Sequence, residues 1–169
     1  MTENRLFQKG DYVIYKNNGV CLIEDIRPLP FGPSPDQEYF ILRPRTSEGT
    51  IYVPVQGDMS EKLNKIPSRT EIDEIIRQAE HSDLEWIENS KVRIVAFDKL
   101  LASGDRVSIL WLVKMLTEKK KNHSKNKRLC ANEERILSTA KKIITDEFAF
   151  ALNLPGKEVI PYILERIKT

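Results

Sequence analysis

The strongest candidate for chemistry in this sequence is a cluster of basic residues in its second half. Residues 114–128 contain six lysines and one arginine against a single acidic residue, Glu118, which gives the stretch a net charge of +6. The basic residues are Lys114, Lys119, Lys120, Lys121, Lys125, Lys127 and Arg128. A local positive patch of this strength attracts a polyanion such as a nucleic acid through its phosphates. A solvated loop between two helices would show the same composition, so both interpretations stay open on this stretch alone.

Residues suited to catalysis or metal binding do not form any known motif. His81 and His123 have no neighbouring set of metal-ligand residues, and no C-x-x-C, H-E-x-x-H or G-x-x-x-x-G-K-[ST] pattern occurs. Cys21 and Cys130 lie far apart in the sequence, so we expect a reducing, cytoplasmic compartment and no disulfide framework. We therefore predict a binding protein, not an enzyme, that uses no metal and no cofactor.

The overall composition indicates a chain that can form real hydrophobic cores. Hydrophobic residues make up 40% and charged residues 31% of the 169 residues, with a net charge of +2. This length suits one compact domain or two small ones. No apolar run approaches the roughly 20 residues of a membrane span, and the N-terminus lacks an apolar signal-peptide core. We expect no membrane contact.

The first third of the sequence shows the alternation of short β-strands. Residues 11–15 and 20–26 alternate around Asn17–Gly19, whose residues tolerate the positive φ of a tight turn. Two more strands, 38–44 and 50–55, follow a proline-rich loop. Pro54 cannot donate to a sheet and therefore indicates the edge or the end of its strand. Four or five such strands predict a small Tudor-like or SH3-like β-barrel domain over residues 1–66.

The remaining residues, 67–169, predict a compact all-helical domain of about five helices, which makes the fold class α+β. The expected N-caps of the first four helices are, in chain order, Thr70, Ser82 or Asp83, Ser103 or Asp105, and Asn132. Gly104 is the expected end of the second helix. The third helix carries apolar residues on all sides and is predicted to be the central buried element. A last short helix contains Pro161.

Four stretches, in this order and at these spacings, resemble one known family. They read FQKGDYVIYKNNGV (7–20), YFIL (39–42), IYVPV (51–55) and LASGD (101–105). The chain resembles, over nearly its whole length, the CarD/CdnL family of bacterial transcription regulators, whose N-terminal module is shared with transcription-repair coupling factor. The resemblance implies a Tudor-like domain that docks on the β subunit of RNA polymerase. It also implies a helical domain that reaches upstream promoter DNA at the bubble edge and changes open-complex stability, without reading a sequence of its own.

The resemblance places the polymerase contact on the strand at 50–55. The residues it implies are Thr50, Ile51, Tyr52 and Val53, with Arg27 and Arg43 at the rim. Alternation directs Ile51 and Val53 towards the core and Tyr52 outwards, so Tyr52 is the sharpest candidate. An exposed strand edge recruits a partner strand through main-chain hydrogen bonds. The same edge leaves open an edge-paired or domain-swapped dimer, although we expect a monomer.

For promoter DNA, the resemblance implies a tryptophan wedge in the minor groove, supported by basic residues. Trp111 lies in an apolar helix and is predicted to be core, whereas Trp86 is expected in the first turn of its helix and is the candidate wedge. The family's tryptophan lies about one helical turn closer to LASGD, where Ser90 stands here, so a packing role for Trp86 between the first two helices stays open. The expected supporting residues are Lys91, Arg93, Lys119, Lys120, Lys121, Lys125, Lys127 and Arg128. The alternative function is a protein-interaction adaptor without productive DNA contact.

Overall fold

The computed structural model describes residues 6–57, 63–122 and 128–167. The chain divides into two compact units, residues 1–66 and residues 67–169. The first unit, here called the sheet unit, contains the described strands, and the second, the helical unit, contains the α-helices. This architecture confirms the predicted α+β class.

In the part of the sheet unit that the structure describes, five strands form an antiparallel sheet. Its strands are β1 (Tyr12–Tyr15), β2 (Val20–Pro28), β3 (Glu38–Pro44), β4 (Ile51–Pro54) and β5 (Leu63–Lys65). They lie in the order β4-β3-β2-β1-β5, so β4 and β5 form the two ends of the sheet. The prediction of Pro54 at a strand end is confirmed. β5 has only three residues, which is too short for a sequence pattern to define.

The turn between β1 and β2 differs from the prediction in its residues. A short 3₁₀ turn, Lys16–Asn18, joins the two strands, and the positive φ angles belong to Lys16 (49°) and Gly19 (77°). Gly19 therefore supplies a positive φ as expected, and Lys16, one position before the expected residues, supplies another.

One face of the sheet forms the core of this unit. Its fully buried residues alternate along the strands, as a half-buried sheet requires; they are Val13, Cys21, Ile23, Leu42 and Val53. A register shift between Ile23 and Asp25 bulges β2, which increases the local bend and twist of the strand. On the opposite face, Leu29, Tyr39 and Ile41 form a second, smaller cluster.

The described residues of the helical unit form five α-helices. They are α1 (Arg69–Glu80), α2 (Ser90–Ser103), α3 (Arg106–Lys121), α4 (Ala131–Leu152) and α5 (Gly156–Ile167). Buried residues occupy consecutive positions of α3 from Ile109 to Val113, so the prediction of a central buried helix is confirmed. Trp111 lies among them and is 4% exposed, as predicted for a core residue. No helix in the described parts of the chain is long and apolar enough to cross a bilayer.

Two of the predicted helix boundaries are correct and three are wrong. Gly104, in the left-handed conformation at φ 75°, ends α2, and Asp105 caps α3 by accepting the backbone N–H of Ser108 at 3.2 Å. The cap of α1 is Ser68, which accepts from the Glu71 N–H at 3.1 Å, and not Thr70. The N-cap position of α4 is Cys130, and not Asn132.

The largest boundary error concerns α2, which was expected to begin after Ser82 or Asp83. The helix begins at Ser90, and the Asn89 side chain caps it by accepting the Val92 N–H at 3.1 Å. The Ser82 hydroxyl instead accepts the Leu84 N–H at 3.2 Å, which is a local turn. Residues 82–89 therefore form a non-helical segment, here called the α1–α2 segment, and Trp86 lies in it.

Candidate interaction surfaces

The outer edge of β4 is open. β4 pairs with β3 on one side, and no strand in the described part of the chain pairs with its other side. The Val55 N–H donates to the Glu38 carbonyl at 3.0 Å. Because paired and unpaired residues alternate in an antiparallel ladder, Val53 and Ile51 also bond to β3. The Tyr52 N–H and carbonyl and the Pro54 carbonyl consequently point outwards, along the open edge.

The side chains of β4 divide between the two faces as the alternation predicts. Val53 is 1% exposed and Ile51 packs against the same core, whereas Tyr52 is 46% exposed. Thr50, also exposed, directly precedes the strand. Tyr52 is therefore the side chain of β4 that a partner along the open edge could contact.

The two predicted rim arginines share the outer face of the sheet with Tyr52. Residues that pair across strands lie on the same face; Tyr52 pairs with Ile41, and Arg27 pairs with Tyr39. Tyr39, Ile41 and Arg43 are alternate residues of β3 and so share that face. The fold thus places Arg27, Arg43 and Tyr52 on one face of the sheet, although 25 sequence positions separate the first from the last.

Both arginines have surface ion-pair partners. The Arg43 guanidinium lies 2.9 Å from the Glu24 carboxylate, and the Arg27 guanidinium lies 3.5 Å from that of Asp25. The arginine side chains are 64% and 60% exposed. Exposed pairs of this kind contribute only about 0–1 kcal/mol, so either arginine can exchange its partner for a carboxylate on another molecule at little cost.

The α1–α2 segment places Trp86 between two cationic side chains of the helical unit. The Arg93 guanidinium lies 4.5 Å and the Lys119 Nζ 4.7 Å from the centre of the Trp86 ring, both within cation–π range. The ring also meets Phe97 edge-on at 5.7 Å, and Phe97 meets Trp111 at 5.6 Å. Trp86 is therefore partly buried and packed against the core.

A single buried carboxylate joins the two cations. Glu133 is 1% exposed; it accepts from the Arg93 Nε at 2.8 Å, from the Lys119 Nζ at 3.1 Å and from the Cys130 N–H at 3.0 Å. Burial alone would raise the pKa of Glu133, but these hydrogen bonds outweigh burial and hold the pKa below its ordinary value. We call Trp86, Arg93, Lys119 and Glu133 the Glu133 network.

The Glu133 network engages three of the residues that were expected to contact DNA. Arg93, expected on the DNA, is 6% exposed and also donates to the carbonyls of Ile87 and Glu88 at 2.8 and 3.1 Å. Lys119 is 19% exposed at its side chain and is bound to Glu133. Trp86 does not lie in a first helical turn, and its ring packs against α2 and α3. All three therefore serve internal packing in this structure.

The network also shows which of the predicted basic residues lie near each other. It joins the first turn of α2, the last turn of α3 and the first turn of α4, which meet at one end of the helical unit. Exposed basic residues lie on α2 and α3 and just before α4; they are Lys91, Lys120, Lys121 and Arg128. We call these four residues the basic rim. Lys120 pairs with Glu134 at 3.3 Å, and the predicted residues Lys125 and Lys127 lie outside the described residues.

Comparison with known proteins identifies both units. The family model described as "CarD-like/TRCF RID domain" matches residues 7–66, and "CarD, C-terminal domain" matches residues 72–163. This chain belongs to the CarD family. It is also 23% identical, over 158 residues, to "Putative transcription factor YdeB" of Bacillus subtilis (strain 168), covering 91% of this chain and 97% of that protein. The family consists of CarD-like transcription factors, not of a known class of enzymes.

The two family models identify each unit as a known domain of the CarD family. The sheet unit is the polymerase-interacting domain of the family and is Tudor-like, and the helical unit is the CarD C-terminal domain. The predicted resemblance is thereby confirmed. Within the described residues, no three His, Cys, Asp or Glu side chains are grouped to hold a metal ion.

One surface residue of this CarD-family chain was missed by the sequence analysis. Phe31, in the proline-rich loop after β2, is 64% exposed, and its ring meets that of Tyr52 edge-on at 5.3 Å. The sequence offered one weak signal for an exposed contact residue. Phe31 stands between Pro30 and Gly32 and is the one large apolar residue of the loop after Leu29. The contact with Tyr52 depends on how the loop folds back, which the sequence pattern does not reveal.

Proposed function

We propose that this chain regulates transcription initiation by docking on the β subunit of RNA polymerase through the open edge of β4. The helical unit then contacts upstream promoter DNA at the bubble edge and modulates the stability of the open complex. In this proposal the chain acts as a monomer in the bacterial cytoplasm. The observation that carries the proposal is the open edge of β4, with Tyr52 exposed beside it on the polymerase-interacting domain of the family.

The open edge offers what β-strand addition needs. A partner strand gains main-chain hydrogen bonds from the outward N–H and carbonyl of Tyr52 and from the carbonyl of Pro54, and side chains beside the edge provide specificity. Tyr52 presents a ring with an exposed fraction of 46% on the same face as Arg27 and Arg43. Aromatic and arginine side chains are the residue types that most often dominate binding at protein interfaces.

The basic rim is the surface that we propose for DNA. Lys91, Lys120, Lys121 and Arg128 are exposed around the Glu133 network, which holds α2, α3 and α4 together beneath them. Lysine and arginine bind phosphates mainly by releasing counterions and need no sequence readout. Docking on polymerase raises the local concentration of the helical unit at the DNA, so weak contacts suffice. In this proposal Trp86 supports the rim from within and does not act as a wedge.

The docking proposal is tested by the affinity of the full-length protein for purified RNA polymerase. Tyr52→Glu introduces a charge into the proposed interface and should reduce binding at least about tenfold, the loss expected for a residue at the centre of an interface. Tyr12→Glu is the matched control. Tyr12 is similarly exposed, at 42%, but it lies on β1, which β2 and β3 separate from the tested edge of β4. Equal affinities for the wild type and Tyr52→Glu would contradict docking through β4.

The second candidate function is an adaptor that binds polymerase without productive DNA contact. It is favoured by the engagement of Trp86, Arg93 and Lys119 inside the helical unit. The two functions differ in the salt dependence of DNA binding by the polymerase complex. This dependence is the slope of the logarithm of the binding constant against the logarithm of the salt concentration. If the basic rim contacts phosphates, the double variant Lys91→Ala, Lys121→Ala should make that slope shallower by about 0.9 per lost contact. The exposed Lys157→Ala is the control, and an unchanged slope in the rim variant would favour the adaptor.

A further inference from the structure

The loop that follows β2 is folded against the outer face of the sheet. Leu29 is 5% exposed and packs with Tyr39 and Ile41. The Gly32 N–H donates to the Leu29 carbonyl at 3.2 Å, which closes a tight turn over residues 29–32. A second turn follows, in which the Gln37 N–H donates to the Ser34 carbonyl at 3.2 Å. These contacts fix the position of the loop beside β3 and β4.

Gly32 lets the loop lie directly against the Tyr39 ring. A Cβ atom at position 32 would stand 2.8 Å from the Tyr39 Oη and 3.0 Å from its Cε2. Both distances are shorter than van der Waals contact, so a residue with a side chain would displace the loop or the ring. The close approach of Gly32 thereby sets the position of its neighbour, Phe31.

Phe31 is held at the surface in contact with Tyr52. Its ring centre lies 5.3 Å from that of Tyr52, at an interplanar angle of 74°, and 6.4 Å from that of Tyr39. With 64% of its surface exposed, Phe31 contributes little to the core. A pair of exposed, touching aromatic rings beside an open strand edge is a typical feature of a binding surface.

We propose that Phe31 and Tyr52 form an aromatic clamp for an apolar side chain of the polymerase strand that pairs with β4. The proposal rests on the proposed function and adds a residue and a partner chemistry to it. A strand bonded to the outward N–H and carbonyl of Tyr52 places its own residue about 5.5 Å from Tyr52 and on the same face. That face carries the Phe31 ring, so the incoming side chain lies against both rings.

The occupant is apolar because the clamp offers it ring surface and no charged group. Arg27 and Arg43 lie on the same face but on β2 and β3, whereas the side chain in contact with Tyr52 is the Phe31 ring. Phe31 touches Tyr52, so the clamp is continuous with the proposed docking edge. Interface centres are enriched in aromatic residues and depleted of charge, which fits this arrangement.

The clamp is tested by the affinity of full-length variants for purified RNA polymerase. Phe31→Ala should weaken binding at least about tenfold, as expected for an aromatic anchor, and Phe31→Leu should lose less because it keeps apolar surface. Gly32→Ala should also weaken binding although it retains the Phe31 side chain, because the added Cβ would shift the loop that positions the Phe31 ring. The matched control is Val95→Ala, which truncates a 57% exposed apolar residue of α2. Thermal unfolding of Phe31→Ala should match the wild type, since the ring is mostly exposed.

A double-mutant cycle separates the clamp from two independent contacts. If both rings hold one side chain, the loss for Phe31→Ala combined with Tyr52→Ala should be smaller than the product of the two single losses by a factor of at least about two. Losses that multiply fully would contradict a shared occupant.

The outcomes distinguish the clamp from the proposed function. If the wild type binds polymerase and Tyr52→Glu does not, but Phe31→Ala binds within twofold of the wild type, the clamp is refuted and docking through β4 stands. If the wild type does not bind polymerase, both fall. If the protein instead forms a dimer that Phe31→Ala dissociates, the occupant is a second copy of the chain, and the assignment to polymerase is overturned.

Discussion

Replacing Glu133 by glutamine should strongly destabilise the helical unit. Glu133 is 1% exposed and neutralises Arg93 and Lys119, whose side chains are 8% and 19% exposed. Removing one member of a buried ion pair costs about 3–5 kcal/mol, because the remaining charge stays buried without a counter-charge. Arg93 keeps two backbone acceptors, the carbonyls of Ile87 and Glu88. We therefore expect the lower end of that range, about 3 kcal/mol.

Urea unfolding monitored by tryptophan fluorescence measures this loss in the helical unit. Both tryptophans of the chain, Trp86 and Trp111, lie in that unit. With a denaturant slope of about 1–3 kcal/mol per molar urea, the midpoint should fall by roughly 1–3 M. Glu134→Gln is the matched control, because its carboxylate is 46% exposed and its bond to Lys120 is a surface pair. Such a pair should cost no more than about 1 kcal/mol.

The comparison of the two variants can refute the reasoning about the Glu133 network. If Glu133→Gln unfolds within about 0.5 kcal/mol of Glu134→Gln, then the buried carboxylate does not stabilise the arrangement of Arg93, Lys119 and Trp86, and the basic rim would lack the rigid support that we assign to it.

Three further predictions follow from the same structure. Hydrogen bonds outweigh burial and hold the pKa of Glu133 below its ordinary 4.5, so its stabilisation is present above that pH and is lost as the pH falls through the lowered pKa. The difference in unfolding free energy between the wild type and Glu133→Gln should therefore shrink as the pH falls below 4.5, and a difference that is constant with pH would contradict this. Burial raises the pKa of the Cys21 thiol to about 11, so a thiol reagent at pH 8 should label the exposed Cys130 quickly and Cys21 only after unfolding; equal labelling rates would be inconsistent with the buried sheet core. Gly104→Ala should lower the unfolding free energy of the helical unit by about 1–2 kcal/mol, because an alanine at φ 75° is strained. An unchanged urea midpoint would show that the end of α2 can rearrange.

The sequence pattern predicted β4 and its exposed residue because both depend on local alternation. Ile51, Tyr52 and Val53 alternate between core and surface as any half-buried strand does, and Pro54 marks the strand end. The end of α2 and the start of α3 were equally predictable, because Gly104 and Asp105 are strong local signals. Ser68 also had a local signal, because the spacing Ser68-x-x-Glu71 is the sequence pattern of a capping box. In the structure the Ser68 hydroxyl accepts the Glu71 N–H and donates to the Glu71 carboxylate.

The start of α2 was missed although Asn89 is a local N-cap signal, and a distant contact also engages the residues before the helix. Arg93 donates to the carbonyls of Ile87 and Glu88, which a longer helix would have used for its own hydrogen bonds. Glu133, 40 residues further along the chain, holds the Arg93 side chain in that position. The same carboxylate holds Arg93 and Lys119 within the helical unit. The sequence could not show this, because a count of positive charges does not reveal which of them have a buried acidic partner. Only the fold brings Glu133 between them.

The lifetime of the open promoter complex tests the central claim most directly. RNA polymerase would be bound to promoter DNA and challenged with a competitor, alone or with the wild-type protein, Tyr52→Glu or Tyr12→Glu. We expect the wild type and Tyr12→Glu to change the lifetime alike, and Tyr52→Glu to leave it at the value for polymerase alone. A lifetime unaffected by the wild type, or changed equally by Tyr52→Glu, would contradict regulation of initiation through the open edge of β4.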